Sequence, residues 1–328
     1  MLYEQNQDFY PWYDDRHITV RPPRPNNYAI SNIANSPRRI YEFLDSKIAG
    51  NDELKRTVAC AVYSHFILGV TGLHGLVIGN SGCGKSFIFK VLSELVPVVI
   101  ADCSNMSPAT YKGTCRLTSP LEQLCKKTES YTPKGIVVFD EYDKLLEKQA
   151  NLSVESEVLV MMTGGDVYIG SENASADKPN MLCSTDGILF FFCGTFTGLK
   201  KYKSKGTLGF VSQQTISADD EPYVTKDDLL EAKGSLFSNE FLGRISSITS
   251  VENMSEEKIR YILKDERYSP ITQLSKKYNI ELYLTDDTSE RLCVLGRDYG
   301  LRGITNEINS LIQKSLFETD AHVKELTL

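Results

Sequence analysis

Apolar residues gather in short unbroken runs along the middle of the chain: LHGLVIG (73–79), VPVVIAD (96–102), GIVVFDE (135–141) and GILFFFCG (187–194). Helical patterns such as FIFKVLSEL (87–95) lie between them. Runs of this length mark strands buried on both faces, and their alternation with helices predicts an α/β fold built on a parallel sheet. Upstream, Ser36 and Pro37 open a predicted helix in SPRRIYEFLDSKI, the serine as cap and the proline in the first turn, and a second amphipathic helix is predicted over NDELKRTVACAVYSHF (51–66). Beyond residue 247 the helical period dominates, interrupted by IELYLTDD, where Ile280, Leu282 and Leu284 face one way as in a strand. The pattern divides the chain into an N-terminal arm (1–35), an α/β domain (36–246) and a small, mainly helical lid domain (247–328). The arm carries RPPRPNN and the aromatics Phe9, Tyr10, Trp12 and Tyr13 without periodicity, so it reads as extended or disordered.

Composition adds constraints. With 328 residues, 41% of them hydrophobic and 24% charged, the chain can bury a core of about two domains. A net charge of −7 argues against a nucleic-acid partner held by phosphate neutralisation, although a local basic patch stays open. The first residues, MLYEQNQDFYPWYDD, lack the basic and apolar regions of a signal peptide, and ILFFFC is too short to span a bilayer. No membrane association and a cytoplasmic location are therefore expected. Eight cysteines are scattered without a CxxC pair, which predicts no zinc site and no disulfide framework; most read as small buried hydrophobes.

Chemistry enters just behind the first apolar run, where Gly79–Ser86 reads GNSGCGKS and fits GxxxxGK[ST]. In that pattern glycines let successive N–H groups of Gly79, Asn80, Ser81, Gly82, Cys83 and Gly84 surround phosphate oxygens at a helix N-terminus. Lys85 would reach the β and γ phosphates and the Ser86 hydroxyl would ligate Mg²⁺. The run IVVFDEYDK supplies the carboxylates that such a loop needs: Asp140 to hold Mg²⁺ and Glu141 as general base. Cys83, a thiol in this loop near a helix N-terminus, is expected to have a depressed pKa and to alkylate readily without nucleotide.

Taken together, these segments resemble the ClpX family of hexameric AAA+ protein unfoldases over most of residues 36–320. The resemblance implies a P-loop AAA+ domain, ATP and Mg²⁺ as cofactors, and a homo-hexameric ring acting on polypeptides. LDSKIAGNDELKRTVACAVYSHF is similar to the family's adenine-side segment and places Ile48 and Ala49 against the base, although the family usually has a larger residue where Ala49 stands. NEFLGR resembles the arginine-finger box, making Arg244 the residue that reaches a neighbouring subunit's ATP, and YGLRG resembles sensor 2, with Arg302 at the γ phosphate. Thr195 is the sensor 1 candidate. ATYKG resembles the pore loop, which implies that Tyr111 and Lys112 grip substrate; a partly buried tyrosine is the competing reading. Leu208, Gly209 and Phe210 resemble the loop that docks on a ClpP-like peptidase, while Lys200, Lys201, Lys203 and Lys205 ahead of it read as a solvated charge run.

The chain also departs from the family. No cysteine precedes Cys60, so the family's N-terminal zinc domain is expected to be absent, and SENASADKPN (171–180) stands where the family's pore entrance is basic. Two rival readings remain: a remodeller of the same architecture that never meets a peptidase, and a nucleotide-gated scaffold with little turnover.

Overall fold

The structure, a computed structural model, describes residues 36–106, 116–148, 152–170, 181–196, 229, 237–251, 254–318 and 323–328. Helices α1 (Pro37–Asp45) and α2 (Asp52–Phe66) lead into β1 (His74–Ile78) and α3 (Lys85–Leu92). Then come β2 (Val98–Asp102), α4 (Ser119–Thr128), β3 (Gly135–Asp140), α5 (Tyr142–Lys148) and α6 (Leu152–Thr163). A hairpin of β4 (Asp166–Ile169) and β5 (Met181–Ser184) precedes β6 (Ile188–Gly194), α7 (Asn239–Arg244) and β7 (Ile245–Ser250). Helices α8 (Glu256–Lys264) and α9 (Pro270–Tyr278), strand β8 (Glu281–Tyr283), helix α10 (Asp286–Glu318) and strand β9 (Glu325–Thr327) complete the order.

Five strands form one parallel sheet in the order β2-β3-β6-β1-β7. The four apolar runs supply β1, β2, β3 and β6, and the alternation of their side chains builds a core on each face. Leu76, Ile78, Val137, Phe139, Phe190 and Phe192 enter one cluster, which α4 to α7 cover. Val77, Ile136, Val138, Leu189, Phe191 and Cys193 enter the other, under α1, α2 and α3. Consecutive phenylalanines of β6 thus point opposite ways: Phe190 and Phe192 stack on Phe139, while Phe191 meets Phe89 of α3 at 4.7 Å between ring centroids. Each such ring contributes about 2–3 kcal/mol by burial.

The sheet runs further along the chain than the pattern suggests. Ile245–Ser250 pairs with β1 as a fifth strand, so the α/β unit extends to Ser250 and past the expected boundary at 246. Its sequence, ISSITS, carries only two apolar residues, Ile245 and Ile248, which join the cluster under α4 to α7, while Thr249 is buried as well. The antiparallel β4–β5 hairpin is likewise absent from the sequence-based expectation.

A separate apolar cluster is built from Met254 onward by α8, α9 and α10, with Leu292, Ile304, Ile308 and Ile312 at its centre. Leu282, the inward residue of the expected strand, sits on β8, which pairs in parallel with β9. Helix α10 is kinked at Gly300, whose φ of 65° and ψ of −168° no helical residue adopts. Among the described residues no helix is long and apolar enough to cross a membrane.

Candidate functional site

Parallel strands deliver their carboxyl ends to one edge of the sheet, where crevices receive ligands. β1 ends at Ile78, level with Gly194 of β6, and the Gly79 N–H donates to the Gly194 carbonyl at 3.1 Å. The loop then turns through Gly82 and Gly84, both at positive φ, into α3. Gly84 caps that helix without a side-chain bond; the Phe87 N–H bonds the Gly84 carbonyl at 3.1 Å, and the helix start presents its positive dipole end.

Lys85 is buried, 7% exposed, and its Nζ donates to the carbonyls of Gly79 and Asn80, each at 2.6 Å. Ser86 Oγ donates to Asp140 Oδ2 across the gap between α3 and the end of β3. The two proposed Mg²⁺ ligands are thus neighbours. Glu141 follows at φ 55°, a left-handed conformation that costs a non-glycine residue about 1–3 kcal/mol. Its carboxylate pairs with Lys144 at 2.7 Å, both side chains well exposed. This hydroxyl–carboxylate pair, a helix start lined with N–H groups and a buried ammonium make a donor set that fits a nucleotide polyphosphate with its metal.

Cys83 departs from expectation. Its side chain is 4% exposed and its thiol donates to the Asn80 carbonyl at 2.9 Å. Burial pushes its pKa up, and the opposing pull of Lys85 is the weaker influence. A thiolate here would lose more hydration than one nearby cation returns.

Thr195, at the end of β6, is organised by a residue that the motif analysis passed over. Asp143 is 3% exposed, and its Oδ2 accepts from the Thr195 N–H at 3.1 Å, the Thr195 hydroxyl at 2.6 Å and the Phe196 N–H at 3.1 Å. Its signal was legible: Asp143 stands three residues past Asp140 in DEYDK, in the first turn of α5.

In the segment expected on the adenine side, Ile48 is buried in the α1–α3 core and Ala49 packs against the cluster of the small unit. The segment is pinned by Lys55, fully buried, whose ammonium pairs with Asp45 and Asp52 and donates to the Ile48 carbonyl at 3.3 Å. Burial opposes its charge, but the two carboxylates hold its pKa above the usual lysine value.

The small unit touches the loop directly. A Cβ on Gly82 would lie 2.9 Å from the Tyr299 carbonyl, and one on Gly300 would collide with the Gly82 carbonyl, so the kink of α10 rests backbone to backbone on the phosphate loop. Arg302 lies two residues past that contact and is exposed. Arg244 is elsewhere: it ends α7, donating to the Leu159 carbonyl at 2.6 Å and pairing with Glu240 at 2.8 Å. Tyr111, Lys112, Leu208, Gly209, Phe210, the lysines at 200–205, the 171–180 segment and the arm 1–35 lie outside the described residues.

Comparison with known proteins agrees with this geometry. The family model of the AAA domain (Cdc48 subfamily) matches residues 73–248. The chain is 25% identical to the ATP-dependent Clp protease ATP-binding subunit ClpX 2 of Wolinella succinogenes, over 86% of this chain and 77% of that protein. It is 24% identical to the ClpX subunit of Bacteroides thetaiotaomicron over 88% of this chain and 78% of that protein. With the subunit of Treponema denticola the identity is 25% over 93% and 81%. A parallel sheet with a glycine loop at its carboxyl edge, matched over more than half of its length by that model, makes this chain a member of the AAA domain family and a ClpX-like AAA+ ATPase.

Proposed function

We propose that the chain is an ATP-driven protein unfoldase that works as a homo-hexameric ring in the cytoplasm and threads polypeptides into a ClpP-like peptidase. The observation that carries the reading is the contact of Ser86 with Asp140, with Glu141 next in sequence, at the carboxyl edge of the sheet. ATP with Mg²⁺ supplies a phosphoryl group whose transfer to water releases the energy for unfolding. Ser86 and Asp140 would hold the metal, and Lys85 would exchange two carbonyl partners for phosphate oxygens without ever standing bare. Glu141 would leave its exposed pair with Lys144, a bond of little energy, and accept a proton from the attacking water.

Arg244 fits a role between subunits. It precedes β7, which runs parallel to β1, so about 20 Å of strand separates it from the edge that carries its own phosphate loop. No side chain spans that length, whereas a neighbouring subunit's site is open to it. Arg302, two residues past the Gly300 contact, would reach the same loop from the small unit. The relatives are named as Clp protease subunits, and this supports substrate gripping by Tyr111 and Lys112 and docking through Leu208, Gly209 and Phe210.

The test is a variant series. Glu141→Gln should keep nucleotide binding while turnover falls by about 10² or more, and Lys85→Ala should lose binding itself. Phe210→Ala should hydrolyse ATP normally yet fail in ClpP-dependent degradation of an unfolded substrate, and Tyr111→Ala should bind ClpP yet not degrade. Near-normal hydrolysis by Glu141→Gln overturns the catalytic assignment; undiminished ClpP-dependent degradation by Phe210→Ala overturns docking through that residue, and no ClpP-dependent degradation by the wild-type chain removes the peptidase from the reading.

A further inference from the structure

We propose that Lys258 of α8 and Asn51 form a relay through which the small unit holds the phosphate loop in its nucleotide-binding shape. Lys258 Nζ donates to Asn51 Oδ1 at 3.3 Å, and Asn51 Nδ2 donates to the Cys83 carbonyl at 3.3 Å. Both ends of the amide are fixed by their partners, since an ammonium can only meet the oxygen and a carbonyl only the nitrogen. Residues 207 positions apart are joined in this way, one from each apolar unit.

The backbone is built to permit it. Asn51 occupies the N-cap of α2, where an asparagine side chain ordinarily bonds the helix's own N–H groups, yet it makes no such bond and its φ is 57°. That left-handed turn carries the amide toward the phosphate loop. Gly50 precedes it at φ 66°, and a Cβ there would fall 2.5 Å from Lys258 Cε, so the glycine leaves room for the end of the lysine side chain. Positive φ, a missing Cβ and an uncapped asparagine all serve one contact.

Its consequence follows from the geometry of a trans peptide, whose C=O and N–H point in opposite directions. Anchoring the Cys83 carbonyl on Asn51 fixes the direction of the Gly84 N–H in the same peptide unit. That N–H belongs to the set that would meet phosphate oxygens, at a residue whose φ is 96° and which no side-chain cap bond holds there. The Gly300–Gly82 contact supports the loop from the other side. A rotation of the small unit away from the sheet would release both supports at once, letting Gly84 relax and lowering the loop's affinity for phosphate. Lys258 and Asn51 are therefore positioning residues for the ATPase site, and the inference rests on that site being the nucleotide site.

Three variants of the full chain test it: Lys258→Met, which keeps the stem and removes the charge; Lys258→Arg; and Asn51→Gly, which removes the amide while tolerating the left-handed turn. The first readout is titration with a fluorescent ADP analogue and Mg²⁺. Lys258→Met and Asn51→Gly should each weaken binding about fivefold to tenfold, the double variant should bind no worse than the weaker single, and Lys258→Arg should stay within about twofold of wild type. The second readout needs no nucleotide: iodoacetamide labelling of Cys83, followed by peptide mass spectrometry, should be slow in wild type and several-fold faster in both loosened variants. Unchanged affinity and labelling in Lys258→Met, or losses that simply add in the double variant, overturn the relay. Lys85→Ala separates the two levels: if it still binds the analogue, the nucleotide-site reading fails, and if it abolishes binding while Lys258→Met is neutral in both readouts, the relay alone fails.

Discussion

Single residues show how tightly the site is tied to the core beneath it. Tyr142, adjacent to Glu141, is fully buried among Phe139, Phe192 and Phe241, and its hydroxyl meets no hydrogen-bond partner among the described residues. A buried unpaired hydroxyl costs about 1–3 kcal/mol, so Tyr142→Phe should raise unfolding stability by about 1 kcal/mol, read as a higher denaturant midpoint at unchanged slope. His74 offers a pH-dependent counterpart. It is 3% exposed, its Nε2 faces the Met162 carbonyl, and its Nδ1 accepts from the Phe190 N–H, so the ring is held neutral. Burial lowers its pKa from 6.5 to about 4. Between those values the unfolded chain binds a proton that the native chain does not, so stability falls as pH drops through that window and is fully present above it. From pH 7 to pH 5 this one ring should remove about 2 kcal/mol, and His74→Gln, which cannot titrate, should flatten that part of the profile.

Among elements, the junction of α5 with the end of β6 matters most. Asp143 receives three bonds from Thr195 and Phe196, one of them from the buried Phe196 N–H, and so locks the residues just past β6 to the helix that starts just after Glu141. Asp143→Ala would strand those donors at a cost of about 3 kcal/mol. Its functional mark should be a fall in turnover with nucleotide binding intact, because the phosphate loop lies on β1 and keeps its own supports; loss of binding in a folded Asp143→Ala protein would contradict that separation. The edge strand β7 teaches a related lesson. Only Ile245 and Ile248 of its six residues are apolar and the chain ahead of it gives no periodic cue, so pairing with β1, not local pattern, makes Ile245–Ser250 a strand.

For the whole molecule, the prediction concerns assembly. Arg244 stands at the amino end of β7 and is held to α6 and α7 by Leu159 and Glu240, out of reach of its own loop. Arg244→Ala should bind nucleotide and lose hydrolysis by up to about 10³–10⁵. When Arg244→Ala and Glu141→Gln subunits are mixed, some sites should pair an intact arginine with an intact glutamate and regain turnover. If no mixture exceeds either parent in a steady-state ATPase assay, Arg244 does not act across subunits.

The sequence by itself determined the buried strands, the glycine loop and the two carboxylates behind it. Each of these is a local pattern: continuous apolar runs for strands covered on both faces, fixed spacing for the loop, and a strand end for Asp140 and Glu141. The tertiary structure alone decided the strand order, the fifth strand, the burial that raises the Cys83 pKa, and the meetings of Ser86 with Asp140, Asp143 with Thr195, and Gly300 with Gly82. Those depend on partners tens to hundreds of residues away in the chain. A residue's spacing to its neighbours carries the propensity of its own segment; which distant group desolvates it, bonds it or leaves it no room for a Cβ is set only when the two apolar units close on each other.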